Sequence, residues 1–233
     1  MKERTTSPLS RREEGLLPSR DEHASSSTVW VDGTADMAIL FEPHVNVVVL
    51  QRQGHEALAA YAAKVARRGE LSFKATAAFH QANGLDALDE LALHLPPDDA
   101  RDVLIEDLAY WIEVVTELSG SPRVGLRLVS LDAPMCPSFH VDHVTVRLVC
   151  TYSGAASEWL EERDLDRSLL SRLPPMPVAA AVRRGALVQR CEPLDVVLLK
   201  GTAWSGNETR GAVHRSPVHS AQPRLLLTID PLG

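Results

Sequence analysis

The chain is poor in several features that would place it at once. Three cysteines among 233 residues, Cys136, Cys150 and Cys191, form an odd set with no C-x-x-C pair. That argues against a disulfide framework and predicts reduced thiols. No apolar segment approaches the roughly 20 residues a membrane span needs, and the opening "MKERTTSPLSRREEGLLPSRDEHASSS" lacks the apolar core of a secretory signal. The expectation is a cytoplasmic protein with no membrane partner. Basic residues number 24 against 31 acidic ones, a formal charge of -7. They form no stripe able to neutralise a phosphate backbone, so nucleic acid is not an expected partner. Glycine-rich phosphate loops, a G-x-S-x-G nucleophile elbow and internal repeats are also missing, which argues against nucleotide and serine-nucleophile chemistry.

What is present is apolar sequence, 45% of the chain, enough to bury a sizeable core. Residues 1–27, rich in Ser, Arg and Glu and without apolar periodicity, read as a disordered tail. Residues 28–233 read as a single domain. Within 28–121, "TVWV", "MAILF" and "VNVVVL" alternate with turn residues and predict strands or extended pieces. Glu56–Arg68 places Leu58, Tyr61, Ala62 and Val65 on one helical face and stops at Gly69. "PDDARDVLIEDLAYWIEVVTELSG" repeats Leu104, Leu108, Trp111, Val115 and Leu118 at steps of four and three, with acids in its first turn and Gly120 at its end. One more short helix is expected between these two, in 73–97. Over 122–233 the texture changes to short β-rich runs, "RVGLRLVSLD", "VTVRLVCTY", "GALVQR", "DVVLLKG" and "RLLLTID". The charged, proline-rich stretch 161–185 reads as a surface excursion. Helices grouped before strands predict an α+β fold.

The chemistry-bearing text is "CPSFHVDHVTVRLVCTY". Read as a strand, it aims His140 and Asp142 to one face and His143 to the other. With nine histidines in an acidic chain, an H-x-D spacing alone is about an even bet by chance. The later "GAVHRSPVHSAQPRLLLTID" adds His214 and, ten residues on, Arg224 at the start of a strong strand. Two imidazoles and a carboxylate form the facial triad of non-haem Fe(II) oxygenases. A nearby arginine suits a 2-oxo dicarboxylate, which chelates iron through its keto acid and leaves a second carboxylate for a planar, permanently charged partner. The rival is a zinc cluster with C-x3-H-x2-H spacing from Cys136, His140 and His143. Trp159 and Trp204 are candidates for pocket lining or for packing.

The order H-x-D, an apolar strand ending in "CTYSGAASEWL", then "VHRSPVHSAQPRLLLTID" resembles the double-stranded β-helix core of the Fe(II)/2-oxoglutarate-dependent oxygenases, prolyl-hydroxylase-like members especially, over about Arg123 to Asp230. The whole chain resembles the bacterial domain of unknown function 1826, through "CPSFHVDH", "SEW" and "HRSP". These resemblances imply an N-terminal helical layer packed on a C-terminal double-stranded β-helix of jelly-roll, cupin-like form. They imply Fe(II) held by His140, Asp142 and His214, with Arg224 on the distal carboxylate of 2-oxoglutarate and a further hydrogen bond from Tyr152 or Arg147. The activity implied is oxidation of a small-molecule or protein substrate. Two alternatives on the same fold are a zinc-binding, zinc-homeostasis-linked protein and a non-catalytic interaction module. One departure is visible: a serine or threonine often follows the family's arginine by two residues, and here that place is Leu226, with Thr228 next on the face.

Overall fold

The computed structural model describes residues 26–53, 55–78, 86–170 and 178–233. It is a mixed α/β structure built on a large, mostly antiparallel sheet. Strands β1 (Thr28–Val31), β2 (Val47–Leu50), β3 (Ser72–Ala78), β4 (Arg123–Leu131), β5 (Val146–Ser153), β8 (Val196–Lys200) and β10 (Arg224–Pro231) form it in the order β1-β2-β8-β5-β10-β4-β3. Only the β1–β2 pair is parallel. A second, three-stranded sheet runs β7-β6-β9, with β6 at Glu158–Leu160, β7 at Val188–Arg190 and β9 at His214–Arg215.

Helix α1 (Glu56–Arg68) buries Leu58, Tyr61, Ala62, Val65 and Ala66 and ends where Gly69 turns left-handed at φ 70°. That conformation is easy only for glycine. After the short α2 (Asp86–His94), α3 (Asp99–Ser119) starts at Asp98, whose carboxylate accepts the Ala100 N–H, and it buries Leu104, Leu108, Trp111, Ile112 and Val115. Both long helices pack on the large sheet, α1 on β4, β5 and β10, and α3 on β4 and β10. No described helix is long and apolar enough to cross a membrane.

Because side chains alternate along a strand, the large sheet has two distinct faces. Leu148, Cys150 and Tyr152 of β5 and Leu225, Leu227 and Ile229 of β10 join the helices in one core. Val149, Val197, Leu199 and Leu226 point the other way and pack with Trp159 of the small sheet. This inner face is where the candidate site lies.

The short helix expected within 73–97 stands at Asp86–His94, while Ser72–Ala78 ahead of it is strand β3. "TVWV" and "VNVVVL" supply β1 and β2, which join the same sheet as the C-terminal strands, so helices are not simply grouped before strands. "SFKATAA" does alternate, but alanine and threonine give it little apolar contrast. "MAILF" belongs to a 3-10 helix, Thr34–Phe41. The tail reading lies outside the described residues up to 25. Ser26 and Ser27 are held, since both hydroxyls and the Ser27 N–H donate to the Glu161 carboxylate. Within the excursion, 171–177 lie outside the described residues, and a helical turn stands at Arg167–Leu170. All three cysteines are free, Cys150 and Cys191 buried and Cys136 exposed.

Candidate metal centre

His140, Asp142 and His214 converge, with one ligand atom from each lying within 4.8 Å of the others. His214 sits on β9, and a backbone bridge pairs it with His140 through reciprocal N–H···O bonds of 3.0 Å. Asp142 is not on a strand. Residues 141 and 142 follow the His140 bridge without regular structure, and the chain bends over 143–145.

That bend is clamped from β8 and the segment after it. The Gly201, Thr202 and Ala203 N–H groups donate to the carbonyls of Thr145, Asp142 and Val144. A Cβ on Gly201 would overlap the Val144 carbonyl, and one on Gly211 would overlap the Val141 side chain. Both glycines are therefore required by close approach.

The donor set has the chemistry of a cation site. His140 Nδ1 lies 3.0 Å from the Ser138 carbonyl and His214 Nδ1 lies 3.1 Å from that of Ala212. A carbonyl only accepts, so each Nδ1 carries its proton and each Nε2 presents a lone pair. Those Nε2 atoms face Asp142 at 3.6 Å from Oδ1 (His140) and 3.2 Å from Oδ2 (His214). Lone pairs on both sides of these gaps require a proton or a cation between them. Burial, then repulsion from His214, lowers the His140 pKa, which favours the neutral ligand form. Burial would raise Asp142, but a proton held between it and His214 Nε2 supplies a hydrogen bond and charge that, with the charges of Arg147 and His140, outweigh burial and hold the carboxyl at about 2.

Arg147 and Tyr152 do not serve as anticipated. Arg147 Nε and Nη2 grip Asp230 at 2.7 and 2.6 Å, and Nη1 donates to Asp142. Its guanidinium is thus occupied in holding the candidate ligand. Tyr152 lies on the opposite face of β5, where its hydroxyl donates to Asp107 of α3 at 2.6 Å. Asp107 also takes Arg52 and Trp111 Nε1. The inner-face residue at that end of β5 is Thr151, which sequence reasoning missed by one position.

Arg224 opens β10 on the inner face and is 2% exposed. Its Nε donates to the Ala155 carbonyl at 2.7 Å and Nη2 lies 3.4 Å from Thr151 Oγ1, while Nη1 is buried with no partner among the described residues. Burial lowers its pKa to about 10, so it remains charged at neutral pH. Gly154, at φ 78°, lets the stem pass, because a Cβ there would come within 2.8 Å of Arg224 Cγ.

Cys136 and His143 stand apart from the cluster. Cys136 is exposed. His143 Nδ1 meets Thr202 Oγ1 at 2.9 Å, and its ring lines an apolar cavity of ≈ 630 Å³ with Phe41, Leu118 and Trp204. Trp159 is core, its Nε1 donating to Thr28.

A family model described as "Protein of unknown function (DUF1826)" matches residues 32–230. The chain belongs to this family. No curated protein matches it. Among solved structures it is similar to the rice dioxygenase for auxin oxidation, at 13% identity and TM-score 0.53 over 88% of this chain and 82% of that one. It is also similar to the Arabidopsis thaliana dioxygenase for auxin oxidation 1 in its complex with 2-oxoglutarate, at 11% identity and TM-score 0.51 over 88% and 92%. These likenesses show that this family member shares the jelly-roll fold of the two dioxygenases. A Pseudomonas putida prolyl-4-hydroxylase matches at 12% identity and TM-score 0.43 over 86% and 99%, too loosely to single out that branch.

Proposed function

We propose that this protein is an Fe(II)- and 2-oxoglutarate-dependent oxygenase acting on a small-molecule or protein substrate in the cytoplasm. In this reading the two sheets form a double-stranded β-helix backed by a helical layer. The observation that carries it is the convergence of two Nδ1-protonated imidazoles and one carboxylate on a common point, a facial donor set that leaves the other side of a metal open. Bound iron would supply dioxygen chemistry, coupling decarboxylation of the keto acid to oxidation of a substrate C–H bond.

The chain's own groups have defined parts. His140, Asp142 and His214 would hold the ion. Arg147, fixed by Asp230, orients Asp142 and balances its charge. Arg224 Nη1, buried and lacking an acceptor, supports 2-oxoglutarate in particular, because a carboxylate would satisfy it and neutralise the guanidinium. Val149, Val197 and Leu226 wall the inner face with apolar groups, which limits water near the reacting atoms.

Anaerobic purification with Fe(II), elemental analysis and succinate release from 2-oxoglutarate test the proposal. One iron per chain and succinate formation are expected, with metal lost in His140→Ala and His214→Ala. Unchanged metal content in those variants refutes the site. Tightly held zinc without succinate favours the zinc-handling alternative, and no stoichiometric metal favours the interaction module.

A further inference from the structure

The inner face of the large sheet is buried on β2, β8 and most of β5, but at the β3 edge Ser72, Lys74 and Thr76 of that face are exposed. The antiparallel register places Lys74 directly opposite Arg127 of β4, and Arg127 opposite Thr228 of β10. All three share the inner face, since Phe73 and Ala77 of β3 and Leu126 and Leu128 of β4 point into the helical core. Like charges directly across a strand pair repel. Among the described residues no carboxylate pairs with Lys74 or Arg127. Arg123, on the same face of β4, is likewise without an ion pair. The nearest acid on this face of β10, Asp230, is committed to Arg147.

Arg127 carries a second sign of a missing partner, because its Nε is buried and makes no hydrogen bond among the described residues. A chain of net charge -7 has acids to spare, yet none among the described residues neutralises this pair. A buried donor without an acceptor destabilises the free protein, and an anion seated between the two cations would remove both defects.

We propose that Arg127 and Lys74 anchor an anionic group, a carboxylate or a phosphate, on a small-molecule substrate of the metal centre. That the anion belongs to the substrate rests on the oxygenase reading; the anion site itself does not. From β4 to β5 is two strand spacings, about 10 Å at ~4.8 Å each, with Thr228 between, and Arg147 of β5 contacts Asp142. A substrate held by its charged end at Arg127 therefore lies on the same inner face as the metal ligands and extends toward them across β10.

Calorimetric titration and thermal unfolding of the full-length, metal-free protein test this with inorganic phosphate and with acetate, each against sodium chloride of matched ionic strength. Wild type should bind at least one of the two anions, and Lys74→Gln and Arg127→Gln should each bind it about tenfold more weakly or worse. Without anion, both variants should melt at or above wild type because the repulsion is gone. Phosphate binding alone assigns a phosphate ester, and acetate binding alone a carboxylic acid. No anion-specific effect on wild type, or equal effects on wild type and both variants, overturns the proposal. Co(II) uptake measured in parallel tells the two readings apart: its absence in wild type sinks the metal centre without touching the anion result.

Discussion

Replacing Arg224 by methionine distinguishes a ligand anchor from a structural arginine. A structural buried arginine has a partner, and deleting one half of such a pair costs about 3–5 kcal/mol. Among the described residues no carboxylate pairs with Arg224, and burial lowers its pKa to about 10. Holding the charged form without a ligand therefore costs on the order of 3 kcal/mol. Methionine removes that cost while keeping most of the apolar stem. Against this, the Ala155 carbonyl loses a donor at 2.7 Å, which costs about 1–3 kcal/mol. The net expectation for the ligand-free variant is between unchanged and about 2 kcal/mol more stable, a melting shift of zero to several degrees at roughly 2–4 °C per kcal/mol.

Ligand binding should move the other way. With Mn(II) in place of iron under nitrogen, 2-oxoglutarate at ~100 times its Kd should stabilise wild type by about 2.7 kcal/mol. Losing the anchor should cost about 2–5 kcal/mol of affinity, so the same concentration should leave Arg224→Met almost unshifted. Thermal melts with and without 2-oxoglutarate read both effects. A variant that melts far below wild type yet keeps its full 2-oxoglutarate shift refutes the assignment and makes Arg224 a structural residue.

Arg147→Met or Asp230→Asn should weaken Co(II) binding about 10- to 100-fold, as groups orienting a ligand do, and equal titration curves would remove Arg147 from the site. Gly201→Ala should displace the turn carrying Asp142 and abolish Co(II) uptake; full uptake would show that the turn tolerates a Cβ. Tyr152→Phe should lower stability by about 1–3 kcal/mol, by stripping a donor from Asp107, and leave the 2-oxoglutarate affinity unchanged; a weaker affinity would return Tyr152 to the pocket. Burial, then the charge of Arg210, lowers Lys200 from 10.5 to about 8. The folded state therefore binds this proton less tightly than the unfolded one, and the lysine's contribution to stability rises with pH between about 8 and 10.5. Over that window wild type should gain stability relative to Lys200→Met in urea melts, and parallel pH profiles would contradict the shift.

The parts of this protein that were readable in the text are those with local periodicity. Helices α1 and α3 show their buried faces at steps of three and four and close on glycine, and β5, β8 and β10 show dense apolar runs because both faces are buried. Strand β3 stayed hidden, since its one buried face is Phe73, Ala75 and Ala77 and its other face is open to solvent. The residue types of the candidate centre were also readable, in chain order. The two-residue spacing of His140 and Asp142 was readable too, but the clamp on 141–145 was not, because it comes from Gly201 and Gly211, roughly 60 and 70 positions downstream, and a clamp at that separation leaves no local pattern.

The misassignment of Tyr152 shows where strand parity needs an outside reference. Alternation says that residues 147, 149 and 151 share one face of β5 and that 148, 150 and 152 share the other, but it does not say which face meets the site. The helical layer decides it. Asp107 draws Tyr152, Arg52 and Trp111 to the α3 side, and this fixes Arg147 and Thr151 on the inner face, one beside Asp142 and the other beside Arg224. The same count along β10 puts Arg224, Leu226, Thr228 and Asp230 inward, and the register then carries Arg127 and Lys74 inward as well. A polar cluster remote from the candidate metal site is thus tied, through strand alternation and register, to the direction of Arg147, Arg224, Arg127 and Lys74.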